Sequence, residues 1–448
     1  MINEVFRRIE ALQDWTLNLL KKLIRLPSVS AEGKGIKETA EFIEQTLTEI
    51  GLTTKAFQTQ GNPVIFAEYE TDPDLPTLLI YNHYDVQPPD PLDEWNSPPF
   101  DPQIRGGKLF GRGASDNKGN IAARVCALKA MLDVTGSLPV NLKYLIEGEE
   151  EIGSPNLPEF VKNNERMLKA DVCFWESGSR NEGGQQQIIL GNKGIVCVDL
   201  ICEGANRDLH SSRGIMVKNP AWRLVWALTS IKDADEKIKI KGFYDDVIEP
   251  SPTELENLKK IPTFENETLK QLGLKSFIKG LSGIDLLKRV FYEPGCNING
   301  LTCGYQGKGS KTVLPKRASA KIDFRLVPNQ KPADIIAKLH NHLCDNGFDD
   351  IMIEAEHGYP AARTRIDSPY VKLLAETGKE IYGHELVIVP ISPASSPVYL
   401  FADKIPCLSF GVGHSDSRAH APNESIYVND LFLHAKHMIL FMSRLKDC

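Results

Sequence analysis

The chain has 448 residues, long enough for two domains with a core each, and its 42% hydrophobic and 25% charged residues are ordinary for a globular enzyme. A net charge of −7 without a dense Lys/Arg stretch argues against nucleic acid or an anionic membrane as partner, and no apolar run approaches the ~18 residues that span a bilayer. Nine scattered cysteines without a C-x-x-C pair disfavour a disulfide framework or a thiolate zinc site. With an N-terminal segment lacking a signal-peptide core, they point to a reducing cytoplasm.

Val5, Ile9, Leu12, Leu19, Leu20 and Leu23 recur at helical spacing and predict one amphipathic helix over 3–25, followed by a second over 36–50. Short apolar runs at 64–67, 77–81, 142–146 and 172–175 read as strands, with a helix over 120–132 between them. That alternation predicts a layered α/β domain with a mostly parallel sheet flanked by helices. Near Gly191-Asn192-Lys193-Gly194 the pattern changes. Strands at 195–202, 318–327 and 351–355, helices at 220–231 and 333–343 and a polar helical stretch at 245–293 suggest a separate α+β domain. After Gly358 the α/β pattern returns, with a helix at 369–381, a strand at 407–410 and a closing helix at 430–445. The expected division is 1–194 and 358–448 for one domain, interrupted by 195–357 as a second.

Chemistry-bearing residues gather where these strands end. His83 and Asp85 follow the second strand and, two apart, face the same side. Asp116 lies in a glycine-rich loop opening onto a helix, where an aspartate also serves as a simple N-cap. Glu147-Gly148-Glu149-Glu150-Glu151 closes the next strand, Glu176 the one after, and His420 lies in the loop beyond the strand at 407–410. Taken alone, each is more often an ordinary surface or capping residue. Together, two histidines and several carboxylates at the strand ends of one α/β domain suffice for two divalent ions sharing a carboxylate, with one carboxylate left over as a base.

The segments His83-Tyr84-Asp85-Val86-Gln87-Pro88, Gly111-Arg112-Gly113-Ala114-Ser115-Asp116-Asn117-Lys118-Gly119 and Glu147-Gly148-Glu149-Glu150-Glu151-Ile152-Gly153-Ser154 resemble those of the co-catalytic dizinc peptidases. That family includes cytosolic nonspecific dipeptidase, carnosinase, acetylornithine deacetylase, succinyl-diaminopimelate desuccinylase and glutamate carboxypeptidase. The resemblance implies a catalytic domain interrupted by a lid and dimerisation domain. It implies His83 and Glu176 on one metal, Glu151 and His420 on the other, Asp116 bridging both, Glu150 as general base and Asp85 orienting His83. It also implies a cis peptide after Asp116, and two zinc ions, with manganese or cobalt as substitutes. Glu147 and Glu149 have no ligand role in that mapping.

In the inserted domain the resemblance makes His210 an oxyanion donor that reaches the partner's site in a homodimer, Arg325 the grip on a substrate carboxylate, and Thr312 a substrate hydrogen bonder. Pro393-Ala394-Ser395-Ser396-Pro397 departs from the family's glycine-rich serine segment, which leaves Ser395 as a weaker match for a substrate contact. Thr312 and the helical insertion are dipeptidase-like, whereas glutamate at 176 is usual among deacylases and carboxypeptidases. The expected activity is cleavage of dipeptides or short peptides with a free C-terminal carboxylate. The alternatives are an N-acyl amino acid deacylase on the same site and a catalytically silent ligand-binding homologue.

Overall fold

Both runs of alternating strands and helices fold as sheets with helices packed on them, in a computed structural model that describes Met1–Cys448, the side chains at positions 356 and 357 excepted. In chain order the strands of the two main sheets are β1 (Thr53–Phe57), β2 (Val64–Tyr69), β3 (Thr77–His83), β4 (Asn141–Glu147), β5 (Val172–Trp175), β6 (Gln187–Ile189), β7 (Gly194–Glu203), β8 (Gly295–Cys303), β9 (Arg317–Leu326), β10 (Ile351–Tyr359), β11 (Val387–Val389) and β12 (Cys407–Ser409). The principal helices are α1 (Ile2–Ala11), α2 (Gln13–Arg25), α3 (Ile36–Glu49), α4 (Lys118–Thr135), α5 (Pro220–Ile231), α6 (Pro332–Asp345), α7 (Pro369–Tyr382) and α8 (Val428–Arg444).

The chain divides into two compact units. The first comprises Met1–Gly191, Arg363–Pro390 and Leu400–Cys448, and the second Asn192–Ala362 together with Ile391–Tyr399. Nothing in the sequence pattern separates that last short segment from its neighbours.

The first unit holds an eight-stranded sheet in the order β1-β2-β4-β3-β5-β12-β6-β11. Its centre is parallel, β3 pairing with β4 and β5, and β5 with β12. Leu78 through His83 on β3 are all buried, without alternation, because helices cover both faces. α4 is buried almost all round and carries small side chains (Ala122, Ala123, Ala127) that let its neighbours approach; Leu20, Leu23, Met438 and Phe441 join the same core. The mostly parallel α/β sheet expected from the sequence is present. The single helix expected over 3–25 is instead two, broken at Leu12. The Leu12 carbonyl accepts both the Thr16 N–H and Thr16 Oγ1 at 2.9 Å, so the second helix begins on a fully bonded first turn.

The second unit holds a four-stranded antiparallel sheet, β8-β9-β7-β10, with α5 and α6 contributing Leu224, Ala227 and Leu339 to a core shared with Val198, Leu200 and Phe324. Edge strand β8 escapes a sequence reading, since Gly295-Cys296-Asn297-Ile298-Asn299-Gly300-Leu301-Thr302-Cys303 lacks β-branched alternation. The stretch at 245–293 contributes helices Pro252–Leu258, Glu265–Leu272 and Gly283–Tyr292. Among the described residues no helix is long and apolar enough to cross a membrane.

Candidate metal centre

Parallel pairing places the ends of β3, β4, β5 and β12 at one edge of the first unit's sheet, where ligands collect in such folds. His83 is the last residue of β3. Its Nδ1 donates to the Asp85 carbonyl at 3.1 Å, which turns Nε2 toward the neighbouring carboxylates. Nε2 faces Asp116 Oδ1 at 3.0 Å and Glu176 Oε2 at 3.6 Å. The second Asp116 oxygen, Oδ2, lies 3.1 Å from His420 Nε2, and that same nitrogen is 3.1 Å from Glu151 Oε2. One carboxylate therefore spans two histidines, each with a further carboxylate. Ligand atoms of His83, Glu150 and Glu176 lie within 4.8 Å of one another, as do those of His83, Asp116 and Glu151.

Local backbone geometry aims these groups. The Asp116–Asn117 peptide is cis, as the resemblance implies. His420 sits at φ +62°, in the left-handed region that costs a non-glycine residue free energy and recurs at functional sites. Glu150 and Glu151 open a 3₁₀ turn (Glu150–Ile152), and Asp85 receives both of their N–H groups, Oδ1 from Glu150 at 3.2 Å and Oδ2 from Glu151 at 3.0 Å. Asp85 thus clamps the turn that carries two of the carboxylates, while its Oδ1 stays 3.5 Å from His83 Nδ1. Gln87 Nε2 donates to Glu151 Oε2 at 3.0 Å. Glu147 and Glu149 point elsewhere: Glu147 accepts from Tyr81 Oη and Ser154 Oγ, and Glu149 from Asn156 and the Asn62 backbone.

The electrostatics show a deficit of positive charge. Burial, then repulsion from Glu176, pushes the Glu150 carboxyl well above its ordinary value, and burial lifts Glu176 to about 7. Burial works against a charged His83, yet its bonds to Asp116 and Asp85 hold it protonated well above the usual range. His420 is pushed up to about 10 by its bonds to Asp116 and Glu151. Without a cation the cluster balances itself by taking up protons. Glu176 Oε2 is buried and lacks any hydrogen-bond partner. An orphaned carboxylate oxygen beside an imidazole nitrogen, in a mixed His/carboxylate donor set, fits divalent cations.

Several supporting residues were not singled out from the sequence. Glu424 is fully buried, pairs with Arg112 at 2.8 Å, and accepts the N–H groups of Gly113, Ser115 and Asp116 at 2.8–2.9 Å. It stands four residues beyond His420 and so ties the two ligand-bearing loops together. An acidic residue in a polar loop gives no signal of burial; only its proximity to His420 could have drawn notice.

The remaining predicted site residues lie in the second unit. His210 is exposed, on a two-residue strand paired with Val313–Leu314; its Nδ1 accepts from the Ser212 N–H at 3.2 Å, and its Nε2 is 3.4 Å from Thr312 Oγ1. Arg325 donates to Ser395 Oγ at 3.1 Å and to Asp323 Oδ2 at 3.3 Å. These four residues form two pairs within that unit.

Residues 79–444 match the family described as Peptidase family M20/M25/M40. The chain is 29% identical to a Cys-Gly metallodipeptidase of Schizosaccharomyces pombe over 76% of its length and 75% of the relative's. It is 26% identical to the human Beta-Ala-His dipeptidase over 95% of its length and 89% of that protein's. Among solved structures, an M20 family metallo-carboxypeptidase from Sulfolobus solfataricus superposes with a TM-score of 0.92 at 40% identity, covering 97% of this chain and 99% of that one. The di-peptidase Dug1p of Saccharomyces cerevisiae superposes at 0.84 with 25% identity, over 100% and 99% of the two chains.

Proposed function

The chain belongs to Peptidase family M20/M25/M40, and on that premise we propose that it removes the C-terminal residue from dipeptides and short peptides bearing a free carboxylate. It is a metal-dependent peptidase. The narrower substrate reading draws on its likeness both to dipeptidases and to a metallo-carboxypeptidase, since cleaving a dipeptide and trimming a short peptide break the same C-terminal bond. The observation that carries the reading is Asp116 spanning His83 and His420, with Glu150, Glu151 and Glu176 around them.

His83, Glu176 and one Asp116 oxygen would hold one cation; His420, Glu151 and the other oxygen would hold the second, zinc by preference, with manganese or cobalt as substitutes. When bound, such ions polarise a carbonyl and lower the pKa of water from about 15.7 to about 7. Glu150 takes the proton of the attacking water and returns it to the leaving amine, general base and acid work worth about 10²–10⁴-fold. Asp85 keeps Glu150 and Glu151 in place through their backbone N–H groups. His210, reaching the partner's site in a homodimer, donates to the developing oxyanion there, and Arg325 pairs with the substrate carboxylate, with Ser395 and Thr312 hydrogen bonding beside them.

The second unit serves as lid and as the face of a homodimer. Supporting this, α5 exposes Trp222, Val225 and Trp226, and β8 is an edge strand with Ile298 and Leu301 exposed. The exposed thiols of Cys344 and Cys448 support a cytoplasmic location.

A deacylase of N-acyl amino acids is the second reading, favoured by glutamate at position 176. A panel of dipeptides and tripeptides beside N-acetyl amino acids, assayed with zinc, separates the two. Faster turnover of the free peptides is expected, and exclusive turnover of the acetylated set would reverse the order.

A further inference from the structure

Beneath the metal centre, α4 carries two buried polar side chains one turn apart, Asn120 and Arg124. The Arg124 guanidinium is wholly buried. Nη1 donates to the Tyr81 carbonyl and to Asn82 Oδ1, both at 2.9 Å; Nη2 donates to the Trp175 carbonyl at 2.8 Å and the Phe410 carbonyl at 3.3 Å. These acceptors lie at the ends of β3 and β5 and just past β12, three neighbouring strands. The chain continues from them to His83, to Glu176 and into the loop that carries His420.

Asn82 extends the network. Its Oδ1 also accepts from Tyr144 Oη at 2.8 Å, and its Nδ2 donates to the Glu176 carbonyl at 3.2 Å and to Asn117 Oδ1. Asn120 donates to the Ser115 carbonyl at 3.0 Å and accepts the Val412 N–H at 3.1 Å. Each segment bearing His83, Asp116, Glu176 or His420 is thus held by one of three buried side chains.

Packing alone does not account for Arg124. The neighbouring α4 positions are filled by Ala123, Ala127 and Leu128, all buried. None of the guanidinium's four hydrogen bonds goes to a carboxylate, and Nε has no partner. A buried cation without a counter-ion in contact is costly, so an apolar side chain of similar volume would stabilise the core better. Only a planar fork with several fixed donors reaches three strand ends at once; an ammonium does not.

We propose that Arg124, acting with Asn82, is a positioning residue for the metal centre, fixing the three strand ends that lead to His83, Glu176 and His420 and, through Asn82, the Asp116–Asn117 loop, so that these ligands keep their mutual spacing. This rests on the two-cation reading above. The test titrates cobalt(II) into metal-free wild type, Arg124→Lys, Arg124→Met and Asn82→Ala against a competing chelator, following the visible cobalt absorption. Wild type is expected to take up two ions. The three variants are expected to bind the tighter ion 10–100-fold more weakly, as removal of outer partners of metal ligands typically does, with an altered cobalt spectrum. Far-UV circular dichroism of metal-free Arg124→Lys should match wild type, so that variant decides the matter if Arg124→Met does not fold. Unchanged cobalt affinity and spectrum in a folded Arg124→Lys would overturn the positioning role, even with a lowered Tm. Uptake of fewer than two ions by wild type would overturn the two-cation reading and this inference with it.

Discussion

Glu424 and Arg112 form an ion pair at 2.8 Å with neither side chain more than 1% exposed. Glu424 also gathers three backbone N–H groups of the Asp116 loop, so the pair closes one side of the metal centre. Removing one member of such a pair strands the other charge. Arg112→Met is therefore expected to lower unfolding free energy by about 3–5 kcal/mol, read from urea denaturation of the metal-free protein. A loss below ~1 kcal/mol would mean that the three N–H donors alone suffice for Glu424.

Glu150 has a carboxylate oxygen within 4.8 Å of ligand atoms of His83 and Glu176, and glutamine keeps its shape while removing the base. Glu150→Gln should keep both metals, by elemental analysis after gel filtration, while kcat falls by about 10²–10⁴-fold. Near-normal turnover would move the base to another group.

Asp116 and His420 should differ in what they release. With Asp116→Ala neither cation keeps its full ligand set, and the purified protein should retain well under one equivalent. His420→Ala strips only the Glu151 position and should retain about one. Equal retention in the two variants would contradict the bridging arrangement.

His437 on α8 gives a pH dependence remote from the metal centre. It is fully buried, its Nε2 donates to the Leu374 carbonyl at 2.9 Å, and burial pulls its pKa down to about 4. The folded state thus prefers the neutral ring. Its contribution is complete above the unfolded value near 6.5 and drains away as pH falls toward about 4. Between pH 7 and pH 5 this amounts to ~2 kcal/mol at ~1.4 kcal/mol per pH unit. Metal-free His437→Leu should lose about that much less stability than wild type over the same interval, in urea titrations at both pH values. Parallel curves for the two proteins would show that His437 carries no such burden.

Trp222 and Trp226 stack at 6.0 Å on α5, with more than half of each side chain exposed. Trp222→Glu/Trp226→Glu should convert a dimer to a monomer in light scattering coupled to gel filtration, with little change in Tm at low concentration. A dimer that survives both charges must be held by another face.

The metal-type residues were legible because each ends an apolar run or sits in a glycine-rich loop, where strand-end chemistry is expected. His83, Asp116, Glu150, Glu151, Glu176 and His420 converge in one unit for that reason. What supports them was not legible. Asn82 and Arg124 interrupt apolar stretches and read as lapses in a core pattern, and Glu424 reads as a solvated loop acid. Their roles depend on contacts between segments up to about 300 residues apart, which periodicity does not encode. The same limit hid β8, whose pairing with β9 is set by the partner strand rather than by its own composition. The break at Leu12 is not visible in the sequence because Val5 through Leu23 keep helical spacing across it.

The most direct measurement is anomalous diffraction at the zinc edge from crystals grown with zinc. Two peaks are expected about 3.5–4 Å apart, one on either side of the Asp116 carboxylate, the first against His83 and Glu176 and the second against His420 and Glu151. A single peak, or peaks away from Asp116, would contradict the two-cation reading.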